Sequence, residues 1–390
     1  MRVRPAGRVE NLERTLIRRI FDQAPPDAIN LGLGQPDLET PEAIAAAGIE
    51  GIRAGRTRYT STAGDPELRD AVARRYAPFA AGPDCVVVTC GSQEAMFAVL
   101  TSLADPGDEV LFPDPGYPAY PVVARLLGAV PVPYPLHTER GFRLEPRDVV
   151  SRLTDRTRAV ILCSPSNPTG AVNTADDLRE LVAALEGRGV AWVSDEIYAG
   201  FSYDGPAPSP RSVSAEGGVV IGGLSKDFSM TGWRIGWVVA PRSIAPRIIA
   251  VHQYLVTCAP SVSQRAALAA FDARASGAVR EHLAIFRRRR DLMAEELSRI
   301  AGIRFRLPDG AFYFFVDVSA FGSSLETARR ILERRKVVTI PGEAFGERGR
   351  GYLRISFAAS EDDIVRGVRA VSEQLAEIAA EGYSDEAGSV

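Results

Sequence analysis

The stretch GGLSKDFSMTGWRIGW, residues 222–237, contains Lys226, one of only two lysines in the chain; the other is Lys336, and the rest of the 46 basic residues are arginines. A surface cation is served by either residue type. A reacting amine is not, because a guanidinium stays protonated, whereas an ammonium group can be tuned until it loses its proton and attacks a carbonyl. Other polar groups recur in a similar setting, each just after a short apolar run. These are Gly91-Ser92-Gln93, the SPSNPTG segment 164–170 with Asn167, the DEIY segment 195–198 with Asp195 and Tyr198, and the LSK segment with Ser225 and Lys226. Arg234 follows Lys226 closely and offers a fork-shaped cation suited to a dianion.

The runs that precede these groups, at 85–89, 158–163, 190–194 and 218–222, read as strands, as do 109–112 and 235–240. Most are apolar without polar alternation, which predicts burial on both faces in a largely parallel sheet covered by helices. In such sheets ligands bind beyond the carboxyl ends of the strands, so the four polar stretches should converge on one crevice. Asp65-Pro66-Glu67 supplies an N-cap, a first-turn proline and an acidic first turn for a helix over LRDAVARRY. Near residue 280 the texture changes to strands and helices without a βαβ rhythm, which suggests a smaller α+β domain. The expected fold class is α/β, a mostly parallel central sheet flanked by helices, with a smaller α+β domain formed by the N- and C-terminal segments. The expected divisions are 1–45 as an N-terminal arm and part of the small domain, 46–279 as the large domain, and 280–390 as the C-terminal small domain. The arm should contain one amphipathic helix over VENLERTLIRRIF, and the last dozen residues should fray.

Composition narrows the function classes. With 46% hydrophobic and 24% charged residues and a net charge of −3, the chain reads as an ordinary soluble globular protein, with no support for a nucleic-acid or membrane-surface binder. The run Arg287–Arg290 is read as a solvated helix face. Cys85, Cys90, Cys163 and Cys258 lack zinc-site spacing and read as free thiols, and no metal site is expected. Hydrolase and P-loop motifs are absent, and GLGQPD at 32–37 is a weak dinucleotide signal without a third glycine. Neither a leader peptide nor an apolar run of ~18 residues is visible, so a cytoplasmic location is expected.

The convergent groups define a ligand. Gly91-Ser92-Gln93 opens a helix where free N–H groups and a hydroxyl hold a phosphate, and Arg234 completes the clamp. Asp195 pairs with a cationic ring nitrogen, Asn167 and Tyr198 donate to a phenolate oxygen, and Lys226 condenses with an aldehyde. Pyridoxal 5′-phosphate needs all of these together. Each residue alone has a blander reading: Ser92 as a plain N-cap, NPTG as a turn, Asp195 as a cap.

With LGLGQPD, YTSTAGDPELRDAVA, PGYPAY, SPSNPTG, DEIY, SKDFSMTGWRIG, PGEAFG and YLRISFA, nearly the whole chain resembles the class I/II aminotransferases, pyridoxal-phosphate enzymes of fold type I. The resemblance implies that Lys226 forms the internal Schiff base and then shuttles a proton between the amino-acid Cα and the cofactor. It also implies that Asp195 keeps the pyridine nitrogen protonated, that Asn167 and Tyr198 hold the phenolate, and that Tyr117 stacks on the ring. Gly91, Ser92, Gln93, Ser225 and Arg234 would hold the phosphate, joined by Tyr59 of a partner subunit in a homodimer. Arg354 would take the substrate α-carboxylate, with Gly34 and Asn167 beside it. The implied reaction is a ping-pong transfer of an amino group from an amino acid to a 2-oxo acid. Gln35 departs from the usual glutamate of the GQPD motif, and Gln93 stands where aspartate-preferring relatives often carry a lysine, which weakens a dicarboxylic substrate. DGAFYFF and Trp233/Trp237 line a side-chain pocket or, the better reading, fill the core. The rival reading is a carbon–sulfur β-lyase of the same fold; a more distant one is a non-enzymatic cofactor-binding regulator.

Overall fold

All six runs read as strands are strands of one sheet in the computed structural model, which describes residues 3–10, 12–78, 80 and 82–387. The sheet order is Val86–Thr89, Gly236–Val239, Gly218–Gly223, Ala191–Asp195, Thr157–Cys163, Glu109–Asp114 and Val130–Pro135. Only Gly236–Val239 runs against its neighbours; the other pairings in this sheet are parallel. Val130–Pro135 was not anticipated. Its three prolines cannot donate to a ladder, which argues against a central strand and is tolerated here because the strand lies at the sheet edge.

Alternate residues of the strands enter different layers, which is why the runs are apolar throughout. Val87, Ile161, Val193, Ile221 and Val238 pack against helices Ser92–Leu103 and Ala245–Val256, through Ala95, Val99 and Ile248. Val86, Val88, Val160, Trp192 and Val220 pack on the opposite face against Leu68 and Val72 of helix Pro66–Arg75 and Leu178 and Leu181 of helix Ala175–Glu186. Fully burying such a side chain is worth roughly 1.5–3 kcal/mol, so the layering fixes the strand register strongly. Helix Pro66–Arg75 starts as expected, with the Asp65 carboxylate accepting the Glu67 N–H at 2.9 Å.

A second sheet joins Ile340–Pro341, Tyr352–Ser356 and Tyr313–Asp317 in antiparallel order. Residues of helices Ala273–Ser298, Ser324–Arg335 and Glu361–Ala387 share its core. Ile29–Asn30 pairs in parallel with Val337–Val338, tying the N-terminal passage to this α+β unit.

Three local expectations need correction or restriction. The single amphipathic helix over 9–21 is instead a short helix at Gly7–Glu10 and a separate one at Leu16–Gln23, with Asn11 outside the described residues. The Thr15 hydroxyl accepts the Arg18 N–H at 3.3 Å and so caps a fresh start. The arginine run is only half solvated: Arg287 and Arg288 are exposed, but Arg289 and Arg290 are buried. Arg289 donates to both oxygens of Asp37, at 2.6 and 2.9 Å, and the Arg290 guanidinium lies 4.6 Å from the centre of the Tyr203 ring. Helix Glu361–Ala387 runs into the stretch expected to fray; residues 388–390 lie outside the described residues.

Candidate active site

The parallel register sets Cys163 beside Asp195 and Asp195 beside Ile221, so their following loops open on one edge of the sheet. There they bound a cavity of about 320 Å³, a size suited to a small molecule.

Lys226 follows strand Gly218–Gly223 and is partly buried, with Nζ donating to the Gly34 carbonyl at 2.7 Å. Loss of solvent, reinforced by Arg354 and Arg234 and opposed by Asp195, pulls its pKa from 10.5 down to about 8, as low polarity and like charges do to any ammonium. In cofactor-free protein, acetylation of Lys226 by a small anhydride is therefore expected to rise tenfold per pH unit and level off above about pH 8. Peptide mapping reads this directly, because Lys336 is the only other lysine. A rate still climbing two pH units higher would contradict the dry, electropositive setting.

Asp195 closes strand Ala191–Asp195. Its Oδ2 accepts the Tyr120 hydroxyl at 2.8 Å and its Oδ1 the Ile197 N–H at 3.2 Å. Burial raises its pKa, while those two donors and Lys226 oppose the rise. A carboxylate in such a place is stabilised by a cation set against it.

Ser92 begins helix Ser92–Leu103, and Gly91 makes the geometry behind it possible. Gly91 has φ +82°, and a Cβ there would stand 2.6 Å from Arg234 Nη2; glycine meets both demands at no steric cost. Arg234 is held by donation from Nη1 to the Thr231 carbonyl at 2.9 Å and from Nη2 to the Cys90 carbonyl at 3.3 Å. Those partners are neutral, so the Arg234 guanidinium stands beside a helix N-terminus, and the Ser92 and Ser225 side chains border the same cavity, each of them favouring negative charge. This is an anion cradle.

Another part of the lining is built around Arg354, on strand Tyr352–Ser356. Its guanidinium is buried, 4.3 Å from the Tyr313 ring centre and 4.8 Å from that of Phe345. Nη2 donates to the Gly32 carbonyl and Nη1 to Asn167 Oδ1, the latter at 2.8 Å; Nε has no partner. With its oxygen so engaged, Asn167 has its NH₂ as the donor left for the cavity. The Tyr198 and Tyr313 hydroxyls are 2.8 Å apart, and Tyr117 donates to Gln93 Oε1 at 3.1 Å.

Gly34, Ser92, Gln93, Tyr117, Asn167, Asp195, Tyr198, Ser225, Lys226, Arg234 and Arg354 thus all border one cavity. Gly91 stands directly behind it, and Tyr59, 85% exposed, does not reach the cavity of its own chain.

Residues 26–371 match the family described as aminotransferase class I and II. The chain belongs to the class I and II aminotransferase family. It is 39% identical to a probable aspartate/prephenate aminotransferase of Aquifex aeolicus, over 90% of this chain and 92% of that one. It is 40% identical to a probable N-acetyl-LL-diaminopimelate aminotransferase of Bacillus subtilis, over 88% of each. Among solved structures, an aspartate aminotransferase from Thermus thermophilus with maleate superposes with a TM-score of 0.90 at 32% identity, covering 96% of this chain and 100% of that one. The chain is accordingly an amino-acid aminotransferase, of a family that depends on pyridoxal 5′-phosphate.

The aminotransferase cavity fits that cofactor on its own chemistry. The anion cradle, the buried carboxylate, the amide donor and the single amine are the complement of a phosphate, a ring nitrogen, a phenolate and an aldehyde. Among the described residues no cluster of His, Cys, Asp and Glu is placed to hold a metal ion, and no helix is long and apolar enough to cross a membrane.

Reading the sequence missed Tyr120, Tyr313 and Arg18 as lining residues. Tyr120 stood in PGYPAY, where only Tyr117 was singled out. Tyr313 stood in DGAFYFF; it shares the core cluster of Phe312 and Phe314 and also borders the cavity. Gly34 matters here too, since a Cβ there would lie 2.1 Å from the Tyr313 hydroxyl. Trp233 and Trp237 do not border the cavity; Trp237 donates to the Tyr76 hydroxyl at 3.2 Å and Trp233 to Thr40 Oγ1 at 3.1 Å.

Proposed function

We propose that this aminotransferase holds pyridoxal 5′-phosphate in the described cavity and moves the α-amino group of an amino acid to a 2-oxo acid in a ping-pong cycle. Lys226 carries the reading, an amine with its pKa pulled to about 8 at the meeting point of an anion cradle, a carboxylate and an arginine. Bound there, the cofactor supplies an aldehyde for the amine and a ring that takes up the electron pair left at Cα.

The chain's own groups do the rest. Arg234, the Gly91-Ser92-Gln93 turn and Ser225 hold the phosphate; Asp195, positioned by Tyr120, keeps a proton on the ring nitrogen. Asn167 and Tyr198 donate to the phenolate oxygen, and Tyr117 covers the ring face. Arg354, with Gly34 and Asn167 at hand, takes the α-carboxylate and so orients the Cα–H bond. Lys226 Nζ would be the base that takes that proton and the acid that gives it back. Residues 46–279 form the cofactor-binding domain, with 1–45 and 280–390 supplying the substrate side.

A homodimer completes the site, with Tyr59 of each chain reaching the partner's phosphate. Tyr59 is 85% exposed and does not border its own chain's cavity, which leaves its side chain free to meet a partner.

The test is a substrate panel on the holoenzyme. Amine transfer is expected only when an amino acid and a 2-oxo acid are both supplied, and each half-reaction is expected to interconvert the aldehyde and amine absorbance bands. Release of ammonia and pyruvate from a thioether amino acid alone would point to a β-lyase instead.

A further inference from the structure

The proposed function, on which this inference rests, gives the cofactor phosphate to Arg234, Ser225 and the Gly91-Ser92-Gln93 turn. It leaves unused two polar side chains next to that turn, Glu94 and His252. Glu94 is the third residue of helix Ser92–Leu103, and His252, fully buried, stands on helix Ala245–Val256, which shares a core with it. Neither borders the cavity.

His252 Nδ1 lies 3.1 and 3.2 Å from the two carboxylate oxygens of Glu94, while Nε2 has no partner. With a carboxylate facing it, Nδ1 carries the hydrogen and donates. The same carboxylate accepts the Cys90 N–H at 3.2 Å, and the Cys90 carbonyl in turn accepts from Arg234 Nη2 at 3.3 Å. One peptide unit is thus held from both ends, by the glutamate and by the phosphate arginine.

A glutamate in this helical position ordinarily turns back to the N–H of the capping residue. Here the Gly91 N–H is taken by the Thr89 carbonyl at 2.9 Å, and Glu94 reaches one residue further, to Cys90. His252 holds it there, so its charge stays off the N–H groups that open the helix and would receive the phosphate. A buried imidazole with an unpaired nitrogen costs stability that an apolar residue of similar size would not. The nitrogen that faces Glu94 accounts for its presence.

We infer that His252 and Glu94 are positioning residues for the cofactor phosphate: together they fix the Cys90 peptide, and through it the Gly91-Ser92 turn and the Arg234 fork. The close packing of Arg234 on Gly91, whose Cβ would stand 2.6 Å from Nη2, transmits any shift of that peptide to the guanidinium.

The test measures binding to the apoenzyme rather than turnover. Pyridoxal 5′-phosphate, pyridoxal and inorganic phosphate are each titrated into wild type, His252→Phe, which keeps the ring's bulk, His252→Asn, which keeps an N–H near the Nδ1 position, and Glu94→Ala. In His252→Phe the Kd of pyridoxal 5′-phosphate and of inorganic phosphate is expected to rise about tenfold, and that of pyridoxal by less than about twofold. His252→Asn is expected to recover most of the loss. The double variant His252→Phe/Glu94→Ala is expected to bind phosphate no worse than His252→Phe alone, because the two side chains act as one unit. Glu94→Ala carries the same comparison of the three ligands should His252→Phe not fold. An equal rise for pyridoxal, or a phosphate affinity that ignores the substitutions, overturns the inference. If wild type forms no adduct between Lys226 and either aldehyde while phosphate affinity still depends on His252, the proposed function has failed and the positioning of the anion cradle stands; a wild type that binds no phosphate overturns both.

Discussion

Lys226→Ala is expected to lower amine transfer by about 10⁴-fold or more. The substitution removes two things at once, the nucleophile that anchors the cofactor and the base that takes the Cα proton. No other side chain replaces it. Lys336 is the only other lysine, and it is exposed at the end of helix Ser324–Arg335, paired with Asp27 at 2.6 Å. The measurement is single-turnover absorbance with an amino-acid donor. Borohydride reduction of wild-type holoenzyme should place the pyridoxyl adduct at residue 226, and Lys226→Ala should yield none. An added small primary amine is expected to restore a little activity by standing in for the lost base. Lys336→Ala serves as the control and should transfer amine normally. A Lys226→Ala protein that keeps wild-type turnover would remove the basis of the mechanism.

Arg354→Lys is expected to raise KM for every amino acid by about 100-fold, with a smaller drop in kcat. A planar fork that donates through both arms becomes a point charge. The site around Arg354 is shaped for the fork: one arm engages Asn167, the other the Gly32 carbonyl, and two aromatic rings lie close to the guanidinium. A lysine ammonium cannot meet those partners together, and Asn167 loses the donor that orients its amide. The check is steady-state kinetics with amino acids and with the corresponding decarboxylated amines. The amines carry no carboxylate for Arg354, so their KM should change far less. A uniform loss for acids and amines would indicate a general disturbance of the cavity.

How much of this was legible in the sequence depended on whether a signal was local. The six strands were readable because burial on both faces makes each a continuous apolar run, Val86–Thr89 at the other sheet edge included. Val130–Pro135 was not, because its place at the sheet edge permits prolines that a local reading takes as breakers. The site residues that follow strand ends were readable for the same reason as the sheet: a parallel sheet brings its carboxyl ends to one edge. Tyr313 and Arg18 arrive from the α+β unit and from the N-terminal arm, and no periodicity within their own segments says which cavity they meet. Arg289 and Arg290 were misplaced likewise, since their burial is set by Asp37 and Tyr203, distant in the chain. Thr15 was the local signal overlooked, a capping residue inside what looked like one continuous amphipathic pattern.

The scarcity of lysine has a practical side. Lys226 lines the cavity, whereas Lys336 is half exposed on a helix end that does not border it. Aldehyde- or succinimide-activated beads would therefore find in Lys336 the exposed lysine side chain, at a position that does not line the cavity.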